Sequence, residues 1–272
     1  MGIKTFARKL LPSQIVTSYQ IIKQKLSELP PYPKLGNAVV QIYIADDNFT
    51  TTFTINNFVS FLSPLSNSDG NLILKFYSTD GILLFNESIP LSRFHSKFID
   101  IKEKFETLGI HEEMGIVTSK FIPNSFFDKR LKQLGLLYAH PFMFYSNKYG
   151  SSSMVHPLST VGDQKPSQEW ISGQAIHSKG LSKVHLYQCN PTKNMHHIKF
   201  ELRNIDLSNT HESKSLYLPA MGVRKITFDF KNSLPEDRNH IFQLYSSGLP
   251  SPNSKPLLCR DYSNKILSMS HS

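Results

Sequence analysis

From Gly36 onward the chain consists of short runs in which apolar and polar residues alternate, separated by Asn, Asp, Gly and Pro. A period of two sets one face of each run on a core and the other in water, the pattern of antiparallel strands joined by tight turns. Leu72, Leu74 and Phe76 alternate with Ile73, Lys75 and Tyr77 ahead of the turn Ser78-Thr79-Asp80-Gly81. Ile198, Phe200 and Leu202 alternate with Lys199, Glu201 and Arg203 ahead of Asn204-Ile205-Asp206. The second run reads as a copy of the first.

Further landmarks follow in the same order. Ile89-Pro90 and Ile99-Asp100-Ile101-Lys102 match Leu218-Pro219 and Phe228-Asp229-Phe230-Lys231. Ser119 and Ile122-Pro123 match Ser246 and Leu249-Pro250. Pro141-Phe142-Met143 and Ser153-Met154-Val155-His156 match Pro256-Leu257-Leu258 and Ser268-Met269-Ser270-His271. Blocks repeated in one order identify a tandem duplication. The predicted architecture is therefore all-β, with two tandem homologous antiparallel β-sandwiches over residues 37–157 and 158–272, and a polar connection at Thr160–Glu169. Each copy has the length of a single sandwich domain. Leu72, Leu74, Phe76, Ile99 and Ile101 form the predicted inner face of the first copy, and Ile198, Phe200, Leu202, Phe228 and Phe230 that of the second. Phe127, Leu131 and Leu134, set among charges in the longer connection between Pro123 and Pro141, predict a short amphipathic helix specific to the first copy.

Residues 1–36 differ in texture. Ile15, Tyr19, Ile22, Leu26 and Leu29 fall on one side of an α-helix that Ser13 can cap and Pro30-Pro31-Tyr32-Pro33 stops. The net charge of +9 is concentrated here: Lys4, Arg8, Lys9, Lys23, Lys25 and Lys34 against Glu28 supply +5. One reading sets residues 1–29 on an anionic membrane surface. The other packs the helix on the body or on a sister subunit. The remaining chain is only mildly basic and has no recognition helix or aromatic sheet motif, so nucleic acid is not an expected partner. Cys189 and Cys259 make neither a disulfide framework nor a zinc pattern, and no apolar run is long enough for a secretory signal core or a membrane span. The expected setting is cytoplasmic, and membrane-peripheral if the first helix meets lipid.

Leu218-Pro219-Ala220, the basic and β-branched residues leading to Phe228-Asp229-Phe230, Pro256-Leu257-Leu258 and the Ser-rich last strand together resemble the Anabaena sensory rhodopsin transducer-like family. Trp170–Ser272 resembles it best, and residues 57–157 more faintly. The resemblance implies a compact β-sandwich that works by binding, in a soluble oligomer, with a signalling partner or a carbohydrate-like ligand. It carries over no catalytic residue. The chain departs from the family in its duplication and its N-terminal helix, and the duplication suggests a pseudo-two-fold interface between the copies.

No nucleotide-binding glycine motif, P-loop, His-Glu-x-x-His or Gly-x-Ser-x-Gly is present. The repeated Ser-Met-x-His sets His156 with Ser153 and His271 with Ser268 at the ends of their modules, where two imidazoles can converge on a ligand or a divalent metal. The alternative is a strand-end packing motif inherited through duplication. Trp170 is either a sugar-stacking platform or a buried anchor of the second copy. Arg224 and Arg260, with Arg203, Lys225 and the tyrosines at 187, 217 and 262, either grip an anionic ligand or form the wet face of a sheet. The residues point to a non-enzymatic binding or adaptor protein that needs no cofactor, acting on a glycan, another small molecule or a protein partner. A metal-dependent enzyme built on His156 and His271 and a membrane-surface scaffold are the alternatives.

Overall fold

The structure, a computed structural model, describes residues 38–57, 60, 69–124, 141–162, 167–205, 209–230, 240–250, 254–262 and 267–271. The predicted N-terminal helix and the stretch around Phe127–Leu134 lie outside the described residues, as does the His271 side chain.

The first half contains β1 (Val39–Ile44), β2 (Phe49–Asn56), β3 (Gly70–Tyr77), β4 (Leu83–Leu91), β5 (Ser96–Asp100), α1 (Ile101–Leu108), β6 (Met114–Pro123), β7 (Phe142–Asn147), β8 (Ser152–Val155) and β9 (Ser159–Thr160). The second contains β10 (Ser167–His177), β11 (Leu181–Cys189), β12 (His196–Asn204), β13 (Thr210–Leu218), β14 (Val223–Asp229), β15 (Ile241–Leu249), β16 (Leu257–Tyr262) and β17 (Leu267–His271). Sheet I runs β4-β3-β6-β1-β9 and sheet II β5-β2-β7-β8. Sheet III runs β13-β12-β15-β10 and sheet IV β14-β11-β16-β17. Apart from β9, every strand of the first half has its counterpart nine strands later, in the same sheet position. The fold is all-β and antiparallel, and the duplication read in the sequence is visible in its topology.

The predicted inner faces are core. Leu72, Leu74, Phe76 and Ile101 are buried in the first half, with Ile99 half-buried against them, and Ile198, Phe200, Leu202, Phe228 and Phe230 are buried in the second. Strand pairing also corrects two landmarks, of which one is Ile99: with Met143 matching Leu258, it corresponds to Ile226 and not to Phe228. Leu74 and Phe200 lie opposite Ser119 and Ser246, and on their other sides opposite Glu87 and Lys214. Counting on from those partners, Leu218 corresponds to Leu91, and not to Ile89; each is the buried last residue of its strand. The sequence alignment slipped by two residues, which keeps every side chain on its proper face and is therefore invisible to an alternation pattern.

A second difference lies at Ile99–Lys102, read as continuous strand. The strand ends at Asp100, whose Oδ1 accepts from the Glu103 amide at 3.1 Å and starts α1, while Gly109 closes the helix in the left-handed region at φ 66°. Phe105 of α1 is buried, with its ring 5.0 Å from that of Tyr43.

Candidate functional site

The halves are joined by a buried seam. Residues opposite one another in sheet IV share a face, so Val184, Leu186, Ile226, Phe228 and Leu258 point into the second core while Tyr187, Cys189, Val223, Leu257, Cys259 and Met269 point the other way. That outer face is dry as well: all six residues belong to the hydrophobic cluster of the first half. Sheet IV meets the first half where β11 lies by β1, β14 by β6 and β17 by β8. β1 is accordingly buried along its whole length. Its open edge is satisfied by side chains of sheet II: Tyr145 Oη donates to the Ile42 carbonyl at 2.6 Å, and Thr51 Oγ1 accepts from the Ile44 amide at 2.9 Å.

The seam brings some of the sequence-predicted site residues together. β8 meets β17, where the Met269 amide donates to Ser153 Oγ at 3.2 Å, and Ser268 is half-buried beside them opposite Arg260. His156 is exposed just past β8, with Nδ1 2.9 Å from the Pro157 carbonyl, and His271 lies opposite Leu257 in the ladder. Arg260 joins the two sheets of the second sandwich, donating to Gln174 Oε1 at 2.8 Å and to Ser270 Oγ at 3.1 Å. Burial lowers its pKa from the usual arginine value. Arg224 reaches into the first half, to the Thr79 carbonyl at 2.8 Å and to Asp80 Oδ1 at 2.5 Å. Trp170 lies opposite the buried Ser246 and packs on the second core. The equivalent strands β8 and β17 touch, but not as two-fold mates, since Met269 is buried in the seam while its counterpart Met154 is 59% exposed.

The thiols of Cys189 and Cys259 are pushed up to about 12 by burial, so neither is a nucleophile at neutral pH. Among the described residues no three His, Cys, Asp or Glu side chains are grouped to hold a metal, and no helix is long and apolar enough to cross a membrane.

His185, on the seam side of β11, lies 2.8 Å through Nδ1 from Thr227 Oγ1. Burial, then Lys225 and Lys183, lower it from 6.5 to about 4. The unfolded chain binds this proton near pH 6.5 and the native fold only near pH 4, so its contribution is intact above that window and is lost as pH falls through it. After allowance for solvent screening the loss is about 2 kcal/mol. Urea midpoints measured across this range should fall for the wild type and flatten for His185→Gln; parallel curves would exclude His185 as the cause.

One feature escaped the sequence reading and another was read only in part. A recess of about 270 Å³ between α1, the β1–β2 turn and the α1–β6 loop is lined by Asp46, Asp47, Glu106, Glu112 and Glu113, with Lys102 and His111. Its acidity disfavours an anionic ligand at this recess. Asp46 is occupied in its own turn, where Oδ1 accepts from the Asn48 and Phe49 amides at 2.7 Å each.

The other is the outer face of sheet III. Lys199, Glu201 and Arg203 alternate along β12 and so stand in one row. Glu201 is buried between them, 2.5 Å from each cation, and its pKa is lowered first by the Lys199 hydrogen bond and then by Arg203. The Arg203 guanidinium stacks 3.8 Å over the Tyr245 ring, and the hydrogen bond to Glu169 raises the Tyr245 phenol. Farther along the face Tyr217 is 64% exposed and lies 4.8 Å from the His197 ring. A charge at every second residue was the available signal.

No family model and no curated protein matches the chain. Among solved structures, a beta-glucuronidase from glycoside hydrolase family 2 is 12% identical over 86% of this chain, with a TM-score of 0.19, and the chain spans 23% of that protein's length. The PBSX exported protein XepA is 8% identical over 82% of this chain and 91% of its own, with a TM-score of 0.14. Likeness at this level supports neither a fold family nor a function.

Proposed function

We propose that the chain is a non-enzymatic binding protein in which the outer face of sheet III holds a carbohydrate-class ligand. The observation that carries this reading is the row Lys199–Glu201–Arg203 beside Tyr245. A carboxylate locked between two cations and a guanidinium set over a ring are preorganised, so pairing them with sugar hydroxyls costs little side-chain entropy. Exposed Tyr217 offers a ring face on which the C–H face of a sugar can stack. From His197, opposite Tyr217, to Glu201, opposite Tyr245, the strand advances about 13 Å, room for an oligosaccharide lying across the sheet. The buried seam fixes this face relative to the first half, as an adaptor requires.

A glycan array of neutral and uronic-acid-containing oligosaccharides, followed by titration of the strongest binder, tests the reading. Tyr217→Ala and Arg203→Ala are each expected to weaken binding at least about tenfold, while Trp170→Ala and Arg224→Ala, which alter the core and the seam, leave it unchanged. An array without signal, or binding indifferent to Tyr217 and Arg203, refutes it.

A further inference from the structure

Equivalent strand positions do different work in the two halves. In sheet IV the outer residues Leu257, Cys259 and Met269 are buried against the first sandwich. Their counterparts in sheet II, by the repeat and by the matching ladders, are Phe142, Phe144 and Met154. The outer face of sheet II is open at its two edge strands, while Thr54 at its centre is buried. Phe98 is 71% exposed opposite Thr54, and Met154 is exposed opposite half-buried Phe144. Thr52 lies in the row of Phe144 and Met154, and Thr50, Ser146 and Ser152 make the next row. The centre of the face carries no charge and its edge strands present an aromatic and a thioether side chain; Asp100 at its margin is engaged in capping α1.

We propose that this face is a self-association surface that pairs with the same face of a second copy about a two-fold axis. The second half already shows what this face of the module takes as its partner: another sandwich of this chain. A two-fold pairing brings residues near the axis against their own images, so a charge at the centre of the patch would meet a like charge, and this face carries none there. A head-to-tail pairing that repeats the seam is disfavoured. It would need sheet III to receive sheet II as sheet I receives sheet IV, and where the first half offers Val40, Ile42 and Ile44 on the regular, buried strand β1, the corresponding strand β10 has only Ile171 before its register breaks ahead of Ala175. The association closes as a dimer and leaves the sheet III row of each copy free.

Sedimentation velocity of the full chain from micromolar to sub-millimolar concentration tests this, with two double variants: Phe98→Lys with Met154→Lys, and Phe98→Glu with Met154→Glu. Both positions are exposed, and each variant should keep the wild-type melting temperature. The expected result is a wild-type monomer–dimer equilibrium, at least tenfold weaker dimerisation in each variant alone, and recovery when the lysine and glutamate variants are mixed. A wild-type monomer at every concentration, dimerisation unmoved by either variant, or a mixture that stays monomeric overturns the proposal.

Discussion

Leu257→Asp is expected to lower the unfolding free energy by at least about 4 kcal/mol and to weaken both halves together. Leu257 is fully buried on the outer face of sheet IV, opposite Tyr187, within the cluster that also holds Tyr145 and Val155 of the first half. The substitution removes about 1.5–3 kcal/mol of apolar burial and adds a carboxyl group that must either remain neutral or break the seam. Native domains hold only about 5–15 kcal/mol in reserve, so the effect is a large fraction of the total. Calorimetry provides the check. Because the first core extends onto sheet IV, the wild type should melt in one transition, and the variant should shift that transition without splitting off a stable first half. A thermogram with two transitions, of which only the later-sequence half moves, would show the seam to be incidental.

What was readable in the sequence follows from the period of a strand. Alternation fixes which residues share a face, so Leu72, Leu74 and Phe76 and their partners in the second copy were recognisable as core, and even a two-residue misalignment at Leu218 did no harm. Alternation says nothing about what covers the other face. β11 runs Leu181-Ser182-Lys183-Val184-His185-Leu186-Tyr187-Gln188-Cys189, and it is buried on both sides towards its end because a second sandwich lies there. The same limit explains the site residues. Arg224 has the composition of a wet sheet face, yet its carboxylate partner Asp80 lies 144 residues away, in a turn of the other half. Arg260 is taken up by Gln174, 86 residues away, across the second sandwich. By contrast, the ion-pair row at Lys199, Glu201 and Arg203 is local in sequence and needed only the strand period to be read as one face.

The turns that meet at Arg224 yield the other large effect. Gly81 has φ +82°, and a Cβ built there would lie 1.9 Å from the Ala220 carbonyl oxygen of the opposite half. Gly150 has a similar φ of +91° but nothing within 4 Å of the corresponding position. The pair separates backbone from contact. Gly150→Ala should cost about 1–2 kcal/mol, the penalty for a left-handed alanine. Gly81→Ala bears the same penalty and must also push apart the segment that supplies the Val223 amide to the Thr79 carbonyl at 3.0 Å and Arg224 to that same oxygen, so at least about 3 kcal/mol is expected. Removing the ion pair alone is a weaker perturbation: Asp80 is 67% exposed on its side-chain surface, and Arg224→Ala should cost about 1 kcal/mol or less. Melting temperatures of the three variants should therefore fall in the order Arg224→Ala, Gly150→Ala, Gly81→Ala, with amide exchange at Val223 faster only in the Gly81 and Arg224 variants. Equal losses for the two glycine substitutions would mean that the turns do not bear on each other as described, and that the seam is held by its apolar face alone.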